Sequence, residues 1–305
     1  MNPSEYYRHD RVPKSKVAVN SELEWEEKRL ADLKAIRSTL AENEKDRQSD
    51  PSIPRRGLVY MDDSKKDDRV KVAISTGDVD HAKHVSTILP GMNNVPSEDI
   101  KDHVKNAELV NKHAADNAHI SQDQVATIAW MYDTPQGGQV VSSKYATKAS
   151  HEIGSALEGM HAFRHTNGIE RAHTSLLGHS YGSMTAGKVA KMVRKGVLDD
   201  LVMYGSPGAG AHDAREYNLD HGRPYVSGIK SDDAVKGKGT LNSKFGNNPM
   251  FMPGVKHLAN NSERDRLFFI PWKMFDRHSE YLEEGTSSLE DISRVVTNVP
   301  VKGEK

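Results

Sequence analysis

The segment TSLLGHSYGSMTAGKVAK, residues 174–191, combines the patterns of a strand, a sharp turn and a helix. A short apolar run before Gly178 is typical of a buried strand. Large apolar residues then recur at helical spacing: Met184, Val189, Met192 and Val193. Gly178 and Gly182 lack a Cβ at the positions where the backbone segments of the turn approach most closely. The segment therefore predicts a strained turn with Ser180 at its apex.

Ser180 is the candidate nucleophile of this turn. The residues from Gly178 to Gly182 fit G-x-S-x-G, which in a strand–turn–helix setting presents a serine hydroxyl at the top of a sheet as a nucleophile elbow. The N–H groups at the start of the following helix favour negative charge near Ser180. The alternative is a structural serine in a tight turn. His179 is interpreted as a packing or polar neighbour that points away from the Ser180 hydroxyl.

The composition excludes several classes of function. The chain has 305 residues, enough for one large domain with an appendage or for two domains. Its formal net charge of -1 gives no electrostatic reason to expect a nucleic-acid partner. The absence of cysteine excludes disulfides and thiolate chemistry. No apolar run is long enough for a transmembrane helix and the first residues lack a signal-peptide pattern, so the compartment stays open.

Strand-like and helix-like segments alternate from residue 57 onward. Strands are predicted within 57–62, 69–75, 84–90, 124–135, 174–180, 198–205, 223–229 and 264–272, the first two as a hairpin, and helices within 97–117, 143–165, 183–195 and 287–299. This alternation implies an α/β fold with a mostly parallel central sheet and helices on both faces. The ligand site of such a sheet lies at the carboxyl ends of its strands. We expect the loops after residues 90, 132, 180 and 207 to share that edge.

The N-terminal part is predicted to be separate from this sheet. The expected organisation is a mobile tail over 1–20, a helical extension and linker over 21–56, and the α/β domain over 57–305. A capping box from Ser21 to Glu24 starts a helix that reaches about Glu44. One apolar stripe runs along it: Leu23, Leu30, Leu33, Ile36 and Leu40. We expect the helix to dock, either on the α/β domain or on another chain through self-association or partner binding.

A nucleophilic serine needs a base and a carboxylate that orients the base, and in this setting the acid precedes the base along the chain. Asp232 and Asp233 follow the strand-like segment 223–229. Asp233 begins a D-x-V pattern and is preferred, with Asp232 as the fallback and Asp213, in the preceding loop, as a lesser alternative. Each aspartate can also be interpreted as a turn or helix-cap residue.

Position selects the base from the 15 histidines. Only His257 and His278 follow Asp233. His278 comes after the strand-like segment 264–272, whereas His257 precedes it, so His278 is the predicted base. Its alternative is a surface histidine in a charged loop.

Two backbone N–H groups are expected to form an oxyanion hole. One belongs to Tyr181, the residue after the candidate nucleophile. The other is predicted in the loop after the third strand, at Met92 or Gly91. Such donors stabilise the negative oxygen of a tetrahedral intermediate.

Three short motifs are similar to those of a known protein family: PGM (90–92), GHSYGS (178–183) and GSPG (205–208). With them, roughly residues 30–297 resemble a largely uncharacterised α/β-hydrolase family common in actinobacteria. The resemblance implies the α/β-hydrolase fold and a triad of Ser180, Asp233 and His278. KSDDAV (230–235) departs from the Asp-Pro or Asp-Trp step expected at the acid, which leaves Asp232 and Asp233 as alternatives.

These residues predict a serine hydrolase that cleaves a small-molecule or lipid-like carboxylic ester through an acyl-enzyme, without a cofactor or metal. A peptidase or acyltransferase uses the same triad, and a binding or structural protein can keep the fold without catalysis. Four residues before the third strand have metal-ligating side chains: Asp78, Asp80, His81 and His84. A zinc site needs ligands converging from a fixed scaffold, so we interpret these residues as solvated.

Overall fold

The computed structural model describes residues 14–64, 68–220, 223–228, 245–259 and 276–302. Within them, one sheet has the strand order β1-β2-β4-β3-β5-β6-β7-β8. The strands are β1 Arg56–Asp62, β2 Lys71–Thr76, β3 His84–Leu89, β4 Val125–Met131, β5 His173–His179, β6 Asp200–Tyr204, β7 Pro224–Ser227 and β8 Lys256–His257. The pairs β1/β2 and β2/β4 are antiparallel, and the others are parallel. The predicted α/β fold with a mostly parallel sheet is confirmed.

Helices cover both faces of this sheet. They are α1 Lys14–Ser49, α2 Pro96–Ala118, α3 Lys144–Thr166, α4 Tyr181–Met192 and α5 Ser287–Val296. Successive side chains of a strand point to opposite faces, and β4 is apolar on both. Ile128 and Trp130 pack in the core shared with α3 and α4, whereas Ala129 and Met131 pack in the core shared with α2 and α5. The apolar residues of β5 before Gly178 are also buried, because helices cover both faces of the sheet.

The crossover helices bring the carboxyl ends of the parallel strands to one edge. There, β5 lies between β3 and β6, and its last residues pair with Leu89 and Tyr204. The loops that follow β3, β4, β5 and β6 therefore open at the edge where the sequence predicts the site.

Helix α1 begins at Lys14, so the predicted start at Ser21 is wrong. An S-x-x-E pattern occurs inside helices as well as at their starts, and here it lies within one. Residues 1–13 lie outside the described part of the chain, and the division into tail, extension and domain stays a prediction. Of the apolar stripe, Ile36 is buried in the core with α2, whereas Leu23 and Leu30 are 57% and 52% exposed.

The end of the sheet differs from the prediction. The short strand β8, Lys256–His257, pairs with β7 and was not predicted, because two residues are too few for a periodic pattern. The predicted strand at 264–272 lies outside the described residues. None of the described helices has both the length and the apolar content needed to cross a membrane.

Candidate functional site

Ser180 occupies a strained turn between β5 and α4. Its φ of 50° and ψ of -121° lie outside the conformations that residues with a side chain normally adopt. Hydrogen bonds hold it there: the Ser180 N–H donates to the carbonyl of Tyr204 at 2.9 Å, and the Ser183 N–H donates to the Ser180 carbonyl at 3.0 Å. Strain of this kind persists only when the surroundings enforce it, and it clusters at functional sites.

The two glycines of the turn are required by close backbone contacts. A Cβ on Gly178 would lie 2.7 Å from both the Gly182 carbonyl oxygen and the Ser183 Cα. A Cβ on Gly182 would lie 2.5 Å from the carbonyl oxygen of Pro90. Both glycines therefore lie at close backbone contacts, as their spacing predicts, and Gly182 makes its contact with the loop after β3.

Gly91 lies beside Ser180. A Cβ on Gly91 would be 3.2 Å from the Ser180 Cβ and 3.6 Å from its Oγ. No other described residue accepts a hydrogen bond from the N–H of Gly91 or of Tyr181, although both residues are buried. Backbone N–H groups of buried residues usually have an acceptor, so these two are candidates for a functional role. Met92, the other predicted donor, is half-buried in the same loop.

His278 is next to the turn. It lies after β8 in the short helical segment Asp276–Leu282, and its carbonyl oxygen is 2.6 Å from Nε2 of His179. The two imidazole rings are 4.8 Å apart, and His179 also stacks on Tyr204 with 5.1 Å between ring centroids. The structure thus brings the predicted base to the neighbour of Ser180, and His179 is a packing and polar neighbour, as its motif position predicts.

The three acid candidates have different outcomes. Asp232 and Asp233 lie outside the described residues, on the segment that follows β7. Asp213 caps the helical turn Ala214–Glu216, and its hydrogen bonds with Arg215 hold the pKa of its carboxyl at about 2. Asp213 is therefore a helix-cap residue, which is the structural role that its sequence position also allows.

The structure gives strand or turn positions to His257 and to the four residues near the start of β3 that could ligate a metal. His257 lies in β8, paired with Val226. Asp78 accepts hydrogen bonds from the N–H groups of Asp80 and His81, which makes these residues an exposed turn. His84 is in β3, with its ring 6.0 Å from that of a neighbouring-strand histidine, His173. No group of three or more metal-ligating side chains converges within the described residues.

Two tyrosine hydroxyls behind the turn were not predicted. Tyr132 donates to the carbonyl of Pro90 at 3.2 Å, and Tyr181 donates to the carbonyl of Ser142 at 2.5 Å. Burial raises the pKa of Tyr132 and raises that of Tyr181 to about 12, so both hydroxyls keep their protons. Tyr132 follows the apolar run of β4 and Tyr181 follows the serine of the turn, and neither position indicates a hydrogen-bond partner.

Comparison with known proteins gives the family. Residues 65–243 match a family model described as alpha/beta hydrolase. An uncharacterised protein of Mycobacterium tuberculosis (strain ATCC 25618 / H37Rv) is 30% identical over 242 residues, which cover 77% of this chain and 84% of that protein. A second uncharacterised protein of that strain is 34% identical over 186 residues, 57% of this chain but 26% of its own length.

Similar solved structures include esterase Est22, with a TM-score of 0.42 and 10% identity, covering 83% of this chain and 84% of the esterase chain. A cutinase of Trichoderma reesei has a TM-score of 0.40 and 11% identity, covering 72% of this chain and 75% of the cutinase chain. The family model covers more than half of the chain, and a mycobacterial relative aligns over most of both sequences. The chain belongs to the alpha/beta hydrolase family.

Proposed function

We propose that this protein is a serine esterase that acts through an acyl-enzyme on Ser180. The observation that carries the proposal is the conformation of Ser180 between β5 and α4, with Gly91 and Tyr181 beside it, whose N–H groups have no acceptor among the described residues. A serine in such a nucleophile elbow exposes its hydroxyl next to backbone donors that stabilise an oxyanion.

His278 and one aspartate complete the proposed triad. The imidazole of His278 takes the proton of Ser180 as Oγ attacks the ester carbonyl carbon, and the carboxylate of Asp233 holds the imidazole in the required tautomer. Two observations support these roles: His278 lies beside His179, and β7, which precedes Asp233, runs parallel to β5. Asp232 is the alternative acid.

The reaction then follows from these positions. The tetrahedral oxyanion accepts hydrogen bonds from the N–H groups of Tyr181 and Gly91, and Met92 is the alternative second donor. The imidazolium of His278 protonates the departing alcohol, which leaves the acyl group on Ser180. His278 next takes a proton from water, whose oxygen attacks the acyl carbon. The bond from the acyl carbon to Ser180 Oγ then breaks, the imidazolium returns its proton to Oγ, and the carboxylic acid is released.

An apolar acyl group fits the surroundings of the turn. Tyr181 belongs to an apolar cluster with Ala146, Met184 and Phe245, and partly buried Met92, Val140 and Tyr145 pack against that cluster. Met92 follows Gly91, the residue that lies against Ser180, and the other two pack against the same cluster. They favour a carboxylic ester with an aliphatic acyl chain over a charged substrate.

Hydrolysis of p-nitrophenyl esters from acetate to laurate tests the proposal. We expect the full-length protein to hydrolyse part of this series and Ser180→Ala to lose at least about 10³-fold in kcat/KM. Ser175→Ala is a matched control, because Ser175 is a buried serine of β5 whose hydroxyl has no hydrogen-bond partner among the described residues. Equal activity of Ser180→Ala and Ser175→Ala would contradict the proposal.

A further inference from the structure

The hydroxyl of Tyr132 joins the loop after β3 to helix α4. Tyr132 is 2% exposed at the end of β4, donates to the Pro90 carbonyl at 3.2 Å and accepts from the Thr185 hydroxyl at 3.1 Å. The same Pro90 carbonyl lies against Gly182. Its direction is therefore set by a hydrogen bond on a buried side chain and by a close backbone contact.

Fixing this carbonyl also fixes the N–H of Gly91. The carbonyl of Pro90 and the N–H of Gly91 belong to one planar trans peptide group, in which they point in opposite directions. The carbonyl points toward Tyr132 in the interior, so the N–H of Gly91 points away from it, and Gly91 lies against Ser180.

Tyr181 has a similar role at the other donor. Its side chain is 1% exposed, and its hydroxyl donates to the Ser142 carbonyl and accepts from the Ala146 N–H at 3.3 Å. The ring of Phe245 packs edge-on against it at 6.2 Å. The first residue of α4 is thereby anchored to the start of α3, which limits rotation of the peptide group that carries the Tyr181 N–H.

We propose that Tyr132 and Tyr181 are positioning residues whose side-chain hydroxyls hold the Gly91 and Tyr181 N–H groups in the geometry that binds the oxyanion. This inference rests on the proposed function, since it concerns the oxyanion of the Ser180 reaction. It assigns to the two hydroxyls a role in the transition state and none in binding the ground-state ester.

The test compares Tyr132→Phe and Tyr181→Phe with Tyr217→Phe. Tyr217 is a matched control, because it is buried and its hydroxyl donates to the Ala209 carbonyl at 3.1 Å, away from the proposed donors. The kcat and KM for a p-nitrophenyl ester and the Ki of an alkyl trifluoromethyl ketone are measured on full-length protein. Active sites are titrated with a fluorophosphonate. The ketone forms a hemiketal oxyanion with the serine and so reports the same donors.

We expect kcat to fall about tenfold or more in Tyr132→Phe and Tyr181→Phe, since losing one oxyanion donor outright costs about 10²–10³-fold. KM should stay within about threefold, and Ki should weaken in proportion to kcat/KM, because the missing interaction belongs to the transition state. Tyr217→Phe should stay within about twofold of wild type on every measure.

Three results would overturn the inference. In the first, the wild type reacts at Ser180, but Tyr132→Phe and Tyr181→Phe have the same kcat and Ki as Tyr217→Phe. This result would refute the positioning role and leave the proposed function intact. A fall in kcat per titrated active site with an unchanged Ki would show that the two hydroxyls do not act through the oxyanion donors. A wild-type protein that neither hydrolyses the ester nor reacts with the fluorophosphonate at Ser180 would refute both proposals.

Discussion

The conformation of Ser180 depends on two neighbouring glycines, Gly178 and Gly182, which have no Cβ. Gly178 lets β5 and α4 approach to distances at which a Cβ would collide with backbone, and Gly182 does the same for α4 and the end of β3 with its following loop. The positive φ of Ser180 is enforced by this packing and by the hydrogen bond to Tyr204. An unfavourable backbone conformation costs about 1–3 kcal/mol, so the surrounding contacts must exceed that cost.

Gly182→Ala should disturb this turn. The new Cβ would lie 2.5 Å from the Pro90 carbonyl oxygen, and the backbone on both sides has to move. We expect a loss of about 2–3 kcal/mol in the free energy of unfolding and a severe loss of esterase activity. Gly138→Ala is the control, because a Cβ there meets nothing within 4 Å. Similar urea midpoints for the two variants would show that the turn tolerates a side chain at position 182.

The triad is tested by three further substitutions. His278→Ala should cost nearly as much kcat/KM as Ser180→Ala, because triad members act as a unit. Asp233→Asn should lower kcat by about 10⁴-fold by leaving the imidazole in the wrong tautomer, and Asp232→Asn should have little effect. The opposite order of the two asparagine variants would assign the acid to Asp232.

The sequence indicates the residues of the turn more fully than the residues that support it. The G-x-S-x-G pattern and its flanking periodicities predict the turn because strand, glycines and helix are local features. The bond from Tyr132 to Pro90 spans 42 positions, and that from Tyr181 to Ser142 spans 39. No local pattern reports such a contact. The same limit applies to the acid, since Asp232 and Asp233 are adjacent and spacing alone cannot separate them.

Helix α1 shows how an amphipathic pattern predicts docking without predicting the contacts that produce it. Ile36 is buried as its stripe predicts, but a buried carboxylate also joins α1 to the domain. Asp32 forms an ion pair with Arg69 and accepts the backbone N–H groups of Val70 at 3.1 Å and Ser97 at 2.9 Å. An aspartate in a charged helix suggests a solvated face, because the sequence does not show the N–H groups that meet it.

Asp32→Ala should detach this contact. The change leaves Arg69 without its carboxylate and removes the acceptor of two N–H groups, which costs about 3–5 kcal/mol in a buried site. Asp46→Ala, an exposed position on the same helix, should change the free energy of unfolding by less than about 0.5 kcal/mol. Urea denaturation measures both. A midpoint for Asp32→Ala equal to that of Asp46→Ala would show that the Asp32 contact contributes nothing to the docking of α1.

The order of strands β1 to β7 and of the crossover helices is predictable because each of these elements has its own sequence pattern. The two-residue strand β8 has none, so its pairing with β7 becomes visible only when the sheet is assembled. The pKa of a buried histidine also depends on contacts that form only in the folded molecule. His103 on α2 is 7% exposed and lies 3.1 Å from the Ile88 carbonyl oxygen, and burial lowers its pKa to about 4.

His103 should make the protein less stable in mild acid. The unfolded chain binds the proton near pH 6.5, above the pKa of His103 in the folded state, so stability falls as the pH drops from about 6.5 toward 4. Between pH 7.5 and 5 this contribution amounts to about 2 kcal/mol. His103→Gln keeps an N–H donor but has no titrating group. Its free energy of unfolding should therefore fall by about 2 kcal/mol less than that of the wild type over the same pH range. Parallel stability profiles of the two proteins would contradict the assignment.

His173 acts in the opposite direction: burial alone would lower its pKa, but the Asp200 carboxylate at 2.7 Å raises it.

Ser180 as the nucleophile is the central claim, and covalent labelling tests it most directly. The full-length protein and Ser180→Ala are treated with a fluorophosphonate, and the modified residue is located by peptide mass spectrometry. The account predicts one adduct per wild-type chain, on the peptide that contains Ser180, and none on the variant. Stoichiometric labelling of another serine, or equal labelling of the variant, would contradict it.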